Sequence, residues 1–230
     1  MRSKLAKQRR TTWIPNTEVG DGPLAGSKFA GTCVVPAGED WPRCPNCGRP
    51  MQLFVQLAAA DLPTAAPGFG DGVLQLFYCT TRAPMCEVQC EAYAPFAASV
   101  LARVVDPGTG VAPATAPDHP PPPRRIVGWT AVDDYPCWEE LESSGITLDD
   151  AEIEELGETY PRPGDKLWGW PAWVQSVEYP ACSKCGRAMR YLLQIDSEDN
   201  LPYMFGDAGT GHLSQCHEHP EVMSFHWACT

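Results

Sequence analysis

Two pairs of cysteines in this sequence have the spacing of metal-binding knuckles. Cys44 and Cys47 form one C-x-x-C-G motif, and Cys182 and Cys185 form a second. In such a turn two thiolates converge on one ion, and the trailing glycine relieves backbone crowding beside it. A single C-x-x-C motif is also typical of redox-active sites, but two copies with the same trailing glycine favour metal ligation.

The first pair needs two more ligands to complete a tetrahedral zinc site. Three cysteines follow the next apolar segment, and we favour Cys79 and Cys86, with Cys90 as the alternative to Cys86. Cys33 and Cys137 have no partner at ligand spacing and are predicted to be core residues. The sequence therefore predicts an all-cysteine zinc site in the first half.

The second pair has a mixed set of candidate partners. Cys216 ranks first, and His219 and Cys229 follow as close alternatives for the fourth ligand. We expect two zinc ions with a structural role, because catalytic zinc keeps an open position and several thiolates reduce its Lewis acidity. The alternative is that the cysteines are unmetallated buried thiols.

Sequence signatures of several enzyme classes do not occur in the chain. The motifs H-E-x-x-H, H-x-E…P-C-x-x-C and G-x-S-x-G are missing, and the glycine-rich residues 206–212 predict a hairpin turn in place of a phosphate-binding loop. We therefore expect a non-enzymatic protein. The alternative is an enzyme of unknown reaction, with a site between the two halves that uses His217, His219 or His226.

The elements that position the knuckles form an internal repeat. A shift of 138 residues aligns residues 28–56 with residues 166–194 without a gap, and nine of the 29 positions are identical, against about two by chance. A Gly-Asp pair also recurs at 70–71 and 206–207. The identical pairs are Lys28/Lys166, Gly31/Gly169, Pro42/Pro180, Cys44/Cys182, Cys47/Cys185, Gly48/Gly186, Arg49/Arg187, Met51/Met189 and Gln56/Gln194.

Each knuckle leads into a short apolar segment that is typical of a strand. The predicted strands are residues 51–57, 73–78, 189–195, 212–216 and 224–229, of which the last two are expected to pair. The predicted fold class is α+β and β-rich, with internally duplicated antiparallel-sheet units that each carry a zinc-knuckle-like cysteine cluster.

Composition divides the chain into five predicted parts. The high proline content of residues 106–123 indicates a stiff linker. The parts are a basic, flexible tail (1–25), a first repeat (26–105), a proline-rich linker (106–125), an acidic connecting segment (126–164) and a second repeat (165–230), with the repeats packed as one body.

The acidic segment suggests a partner. Beyond residue 10 the chain carries 12 Lys and Arg against 29 Asp and Glu, and eleven of those carboxylates lie in residues 133–158 without a Lys or Arg. Residues 148–156 predict a short amphipathic helix with an acidic face. A solvated face is one interpretation, and a docking surface for a basic protein is the other. Nucleic-acid binding is not expected, since this charge repels phosphate.

The whole chain has 230 residues with 43% hydrophobic residues and 11 cysteines. The sequence lacks an 18-residue apolar stretch and a secretory signal, so we expect neither a membrane span nor export. Many cysteines without an export signal predict a reducing, cytoplasmic location.

The knuckles and their surroundings resemble the YwqG-like family of uncharacterised bacterial proteins. The segments that carry the resemblance are SKFAGTCVVPAGEDWPRCPNCGRPM, GDGVLQLFYC, DKLWGWPAWVQ, YPACSKCG, FGDAGTGHLSQC and FHWAC. The resemblance implies a duplicated, β-rich fold and a place in toxin-immunity neighbourhoods, and it supplies no catalytic residues. More distantly, the unit of knuckle, strand and cysteine looks like that of the programmed cell death protein 2 family, which implies an acidic chaperone for a ribosomal protein.

Overall fold

Strands dominate the computed structural model, which describes residues 2–82, 86, 92–111, 117 and 119–230. Ten of its twelve strands form one antiparallel sheet, and β3 and β7 form a separate pair. The prediction of a β-rich fold is therefore confirmed. The strands are β1 (Arg10–Val19), β2 (Lys28–Phe29), β3 (Val35–Pro36), β4 (Gln52–Ala58), β5 (Val73–Tyr78), β6 (Val100–Val105), β7 (Gly110–Val111), β8 (Arg124–Asp134), β9 (Lys166–Leu167), β10 (Arg190–Asp196), β11 (Thr210–Gln215) and β12 (Met223–Ala228).

Helices are few and short in the part of the chain that the structure describes. They are α1 (Arg2–Leu5), α2 (Trp138–Ser143) and α3 (Asp150–Gly157), with 3-10 turns at Ala59–Asp61 and Pro107–Thr109. Among these described helices, none is long and apolar enough to cross a bilayer.

The sheet order is β12-β11-β10-β9-β1-β8-β2-β4-β5-β6. The long strands β1 and β8 pair in the centre, and each is flanked by a two-residue strand followed by three antiparallel strands. The edge strands β6 and β12 contact each other, so the twisted sheet curls until it is nearly closed. Across this seam the indole of Trp227 donates to the Tyr78 hydroxyl at 2.8 Å.

Strands β4, β5 and β10 bury nearly every side chain, which explains their largely apolar sequences. All residues of β4 and β5 are buried. Phe54 and Tyr78 from the first half share a core cluster with Phe205 and Phe225 from the second half. The five strands predicted from the sequence all form within about two residues of their expected bounds, and β11 pairs with β12 as expected.

Residues 10–19 differ from the predicted flexible tail, because they form β1. Thr12, Trp13 and Pro15 are buried in this strand, and Leu5 packs between Leu141 and Leu156. The prediction of a tail rested on the five positive charges of residues 1–10, whereas the buried residues of β1 follow them in the sequence. The predicted linker and acidic segment also differ, since β8 begins at the end of the linker and occupies the first nine residues of the acidic segment, ending at Asp134.

Each half holds a buried lysine that pairs with an aspartate from the central strands or the loop beside them. Lys28 Nζ lies 2.9 Å from Asp21, and Lys166 Nζ lies 3.0 Å from Asp134. Asp134 is fully buried, whereas Asp21 is one-third exposed. At Gly169, whose φ is +83°, a Cβ would lie 2.6 Å from the Asp134 carboxylate, so only glycine fits this close approach.

Two buried glutamines fix the segments that lead to the knuckles. Gln56 accepts from Val34 N–H and donates to the carbonyl of Gly26. Gln194 accepts from Ala172 N–H and donates to the carbonyl of Gly164. The register is also shared, because Lys28 lies opposite Gln56 and Lys166 lies opposite Gln194. Each amide therefore ties two loop segments to a sheet strand.

The predicted acidic helix forms as α3, one to two residues later than expected. A capping box at its start joins the Asp149 side chain to Glu152 N–H and the Glu152 side chain to Asp149 N–H. Leu156 is its buried residue, while Ala151, expected on the apolar face, is exposed. Helix α3 thus presents carboxylates to solvent from a defined, capped position.

Candidate metal centres

The two knuckles have the same backbone geometry. In the first, Cys44 N–H donates to the carbonyl of Arg49 and Gly48 N–H donates to the carbonyl of Cys44. In the second, Cys182 and Gly186 make the equivalent bonds, the former to the carbonyl of Arg187. Both glycines have φ near +70°, which a side chain would strain. These tight turns hold each pair of thiols on one side of the backbone.

Four cysteines of the first half converge as predicted. Cys44, Cys47, Cys79 and Cys86 place their sulfurs within 4.8 Å of one another. Cys44 Sγ is 3.4 Å from Cys86 Sγ, and Cys47 Sγ is 3.6 Å from Cys79 Sγ. A tetrahedral zinc with bonds of about 2.3 Å separates its sulfurs by about 3.8 Å, so the group is the right size. The alternative ligand Cys90 lies outside the described residues.

The second group contains three cysteines and one histidine. Cys182, Cys185, Cys216 and His219 lie within the same 4.8 Å limit, with His219 Nδ1 3.8 Å from Cys182 Sγ and 3.7 Å from Cys216 Sγ. Of the two candidates for the fourth ligand, the structure brings His219 to this group. Cys229 instead lies against Gly206.

Hydrogen bonds to sulfur favour the thiolate form that metals require. Burial raises the pKa of the Cys182 thiol, but bonds from the backbone of Cys185 and Lys184 outweigh it and bring the pKa to about 6. Burial likewise opposes ionisation of Cys47, and bonds from Arg49 N–H and Thr81 bring its pKa to about 7. One member of each group is therefore ready to ionise near neutral pH.

The cysteines outside these groups behave differently. Burial raises the pKa of Cys33 and that of Cys137 to about 12, so both stay protonated and unreactive. All ten cysteines that the structure describes are free of disulfides. These facts agree with the expectation that thiols in this chain serve as ligands or as core residues.

The histidines proposed for an enzymatic site are separated by their contacts. His219 lies with the cysteines, His217 is exposed, and His226 is buried beside His212 with ring centroids 6.1 Å apart. His212 was missed by sequence reasoning, although its place opposite His226 follows from the predicted pairing of their strands. The indole of Trp173 packs against the imidazole of His212, with their ring centroids 4.7 Å apart.

This histidine pair occupies a position that a hydrogen-bonded chain fills in the first half. There Gln75 donates to Gln56, and Arg103 donates both to Gln75 and to Glu39. The cross-strand registers place His212 where Gln75 lies and His226 where Arg103 lies. Among the described residues, His212 Nε2 and His226 Nδ1 have no hydrogen-bond partner.

These imidazoles should make stability depend on pH. Burial lowers the pKa of His226 from 6.5 to about 4. Burial also holds the pKa of His212 well below its ordinary value, with the charge of His226 as a second cause. These two side chains therefore bind more protons in the unfolded chain than in the folded one below pH 6.5, and their contribution to the free energy of unfolding falls as pH falls. His226 alone accounts for about 2 kcal/mol between pH 7 and 5.

Urea unfolding of His212→Gln/His226→Gln against wild type between pH 7 and 5 measures this effect. The difference isolates the histidines from Asp165, whose pKa burial raises to about 7 and which therefore opposes them in this pH range. The exposed His217→Gln is the matched control. Parallel curves for wild type and the double variant would contradict the assignment.

Comparison with known proteins places the chain in a family. Residues 27–215 match the model of the family described as Domain of unknown function (DUF1963). Because this match spans most of the chain, the chain belongs to that family. Membership of an uncharacterised family is thus confirmed, and the narrower YwqG-like assignment stays a prediction.

A shorter similarity links the chain to one curated protein. Uncharacterized protein YpfL of Salmonella typhimurium is 44% identical over 39 residues, which cover 17% of this chain and 9% of that protein. The chain thus spans less than a tenth of the length of the curated relative it matches.

Proposed function

We propose that this member of the DUF1963 family is a non-enzymatic protein-binding module that two structural zinc ions stabilise. The observation that carries the proposal is the pair of four-ligand groups at tetrahedral spacing. In each, the four protein ligands would fill the coordination sphere of a tetrahedral zinc ion and would leave no position for a substrate. The partner in this proposal is a basic protein, either a toxin domain or a ribosomal protein.

We also propose that the halves are copies of one unit. The support is the recurrence of three features at matching positions: the buried Lys-Asp pair, the glutamine that ties two loops, and the knuckle hydrogen bonds. The nearly symmetric strand order about β1 and β8 points the same way. In such a molecule each zinc would hold one flank of the sheet.

An exposed acidic surface supports the choice of a basic partner. Some carboxylates of residues 133–158 are paired within the chain, since Asp133 contacts Arg9 and Glu152 contacts Lys4. Glu154, Glu155 and Glu158 are exposed on or next to α3. Their mutual repulsion is relieved when a cationic surface approaches, and electrostatic steering speeds that approach.

Charge reversal tests the acidic surface. We expect Glu154→Lys/Glu155→Lys/Glu158→Lys to lower the association rate with the basic partner about tenfold at low salt, because steering depends on local potential. Asp149 is left unchanged, since it caps α3. The measurement is surface plasmon resonance across salt concentrations, with the natural partner captured from cells and identified by mass spectrometry.

The matched control carries the same charge change elsewhere. Asp40, Glu198 and Asp207 are exposed and distant in sequence from α3, so their replacement by lysine controls for net charge. A partner of neutral or acidic charge, or equal association rates for the two triple variants, would leave α3 as a solvated face.

The alternative is an enzyme with its site near the C-terminal histidines. The two buried imidazole nitrogens without hydrogen-bond partners favour it, because such groups also occur where a reacting molecule binds. Against it, His212 and His226 are at most 2% exposed. This alternative would be supported if the chain bound no protein partner and if it turned over a substrate in a reaction that His226→Gln abolishes.

A further inference from the structure

A groove in the first half lies beside the exposed part of β8. It encloses about 1080 Å³ and is lined by β8 residues Arg125–Trp129, the turn Ala58–Asp61, the start of β5 and the end of β6. Pockets for small ligands usually enclose about 300–1,000 Å³. The groove is therefore at least as large as a single small molecule requires and has room for a polypeptide segment.

Beyond β2, the backbone of β8 along this groove pairs with β1 on one side and, among the described residues, with no strand on the other. Strand β2 pairs with β8 only at Arg124 and Arg125, and Ile126 N–H donates to the carbonyl of Ser27. Because β2 runs antiparallel to β8, residues 127–129 continue along the groove past Lys28, the first residue of β2, with Val127 52% exposed. An exposed strand edge of this kind binds extended peptides by adding a strand.

The charged residues that line the groove favour a cationic peptide. Three carboxylates line it, those of Asp61, Asp71 and Asp106, against one guanidinium. That guanidinium, on Arg125, is held by Glu18. Between these charges the lining is largely apolar, with Ala58, Val73 and Val104 among its residues.

We infer that this groove binds an extended segment of a cationic polypeptide, which pairs with β8 and places alternate basic side chains near Asp61, Asp71 and Asp106. The inference rests on the proposed function for the basic character of the partner. It adds a second contact surface, separate in sequence from α3, and a mode of recognition by strand addition.

The test uses a fluorescein-labelled octapeptide of alternating lysine and valine. We expect Asp71→Lys to weaken its binding to the full chain about fivefold in fluorescence anisotropy, since one attraction becomes one repulsion. The matched control is Asp207→Lys, because Asp207 also follows a glycine, is exposed and belongs to the other half. It should leave the affinity within twofold of wild type.

A second peptide tests strand addition. N-methylation of alternate residues removes the backbone donors that pair with β8 and should abolish binding, while the amide resonances of Val127, Gly128 and Trp129 should shift only with the unmodified peptide. An equal loss of peptide affinity in Asp71→Lys and Asp207→Lys would overturn the groove site. Peptide binding that survives N-methylation would overturn it as well. In either case, the proposed function would stand if a natural partner bound in a salt-dependent manner and the α3 variant weakened that binding. If neither a natural partner nor the peptide bound, the proposed function and the groove site would both be contradicted.

Discussion

Replacement of Lys166 by methionine should destabilise the protein by about 3–5 kcal/mol, because it leaves the carboxylate of Asp134 buried without its counter-charge. Lys166 and Asp134 are both fully buried. Burial even lowers the pKa of Lys166 to about 8, against the raising effect of Asp134. The pair therefore lies where solvent cannot replace a lost partner.

The first half supplies the control. Lys28→Met removes an equally buried lysine, but its partner Asp21 is one-third exposed, so water can solvate the remaining charge and we expect a cost of about 1–2 kcal/mol. Adding Asp134→Asn to Lys166→Met should recover part of the loss, because the amide removes the buried charge and its oxygen can still accept from Tyr135 N–H and Arg162 N–H. The recovery is partial because Trp170 N–H, which donates to the other oxygen, loses its acceptor. Urea unfolding monitored by tryptophan fluorescence measures all three. Equal costs at Lys166 and Lys28 would contradict this account.

Loss of a metal ligand should have the larger effect. Zinc binding contributes about 10–16 kcal/mol to the folding of small zinc domains, which is comparable to the whole stability of a typical protein, about 5–15 kcal/mol. Cys44→Ser and Cys182→Ser should each release one zinc and unfold the knuckle that held it.

Cys33→Ser is the matched control for Cys44→Ser, since Cys33 is fully buried in the same core cluster but outside the ligand group. It should keep both zinc ions and cost no more than an ordinary core substitution. Circular dichroism with and without EDTA, together with native mass spectrometry, distinguishes these cases. Ligand variants that keep two zinc ions per chain would show that other atoms bind the metal.

Local spacing indicated which cysteines would converge, because each C-x-x-C-G turn is short and its geometry depends on four or five residues. Cys44 and Cys47 are brought together by the turn itself. The choice between His219 and Cys229 needed tertiary information, since β12 carries Cys229 away from the end of β11. The alignment of residues 28–56 with residues 166–194 also showed Lys28 and Lys166 as identical, but not their partners Asp21 and Asp134, which lie outside the aligned segments.

The central pair of strands, β1 and β8, was the main feature of the fold that the sequence did not predict. Strands β1 and β8 lie in segments that composition marked as a tail, a linker and an acidic connection. Each is stabilised by pairing with the other over about ten residues, and such long-range pairing leaves little local signal. The apolar residue Trp13 was the strongest available sign of β1.

The most direct test of the zinc-stabilised module is the zinc content of the full chain, purified without added metal or metal-affinity resin. Native mass spectrometry with elemental analysis should give two zinc ions per chain, and EDTA should remove them with loss of the folded signal. A zinc content near zero in a protein whose unfolding is unchanged by EDTA would contradict the account.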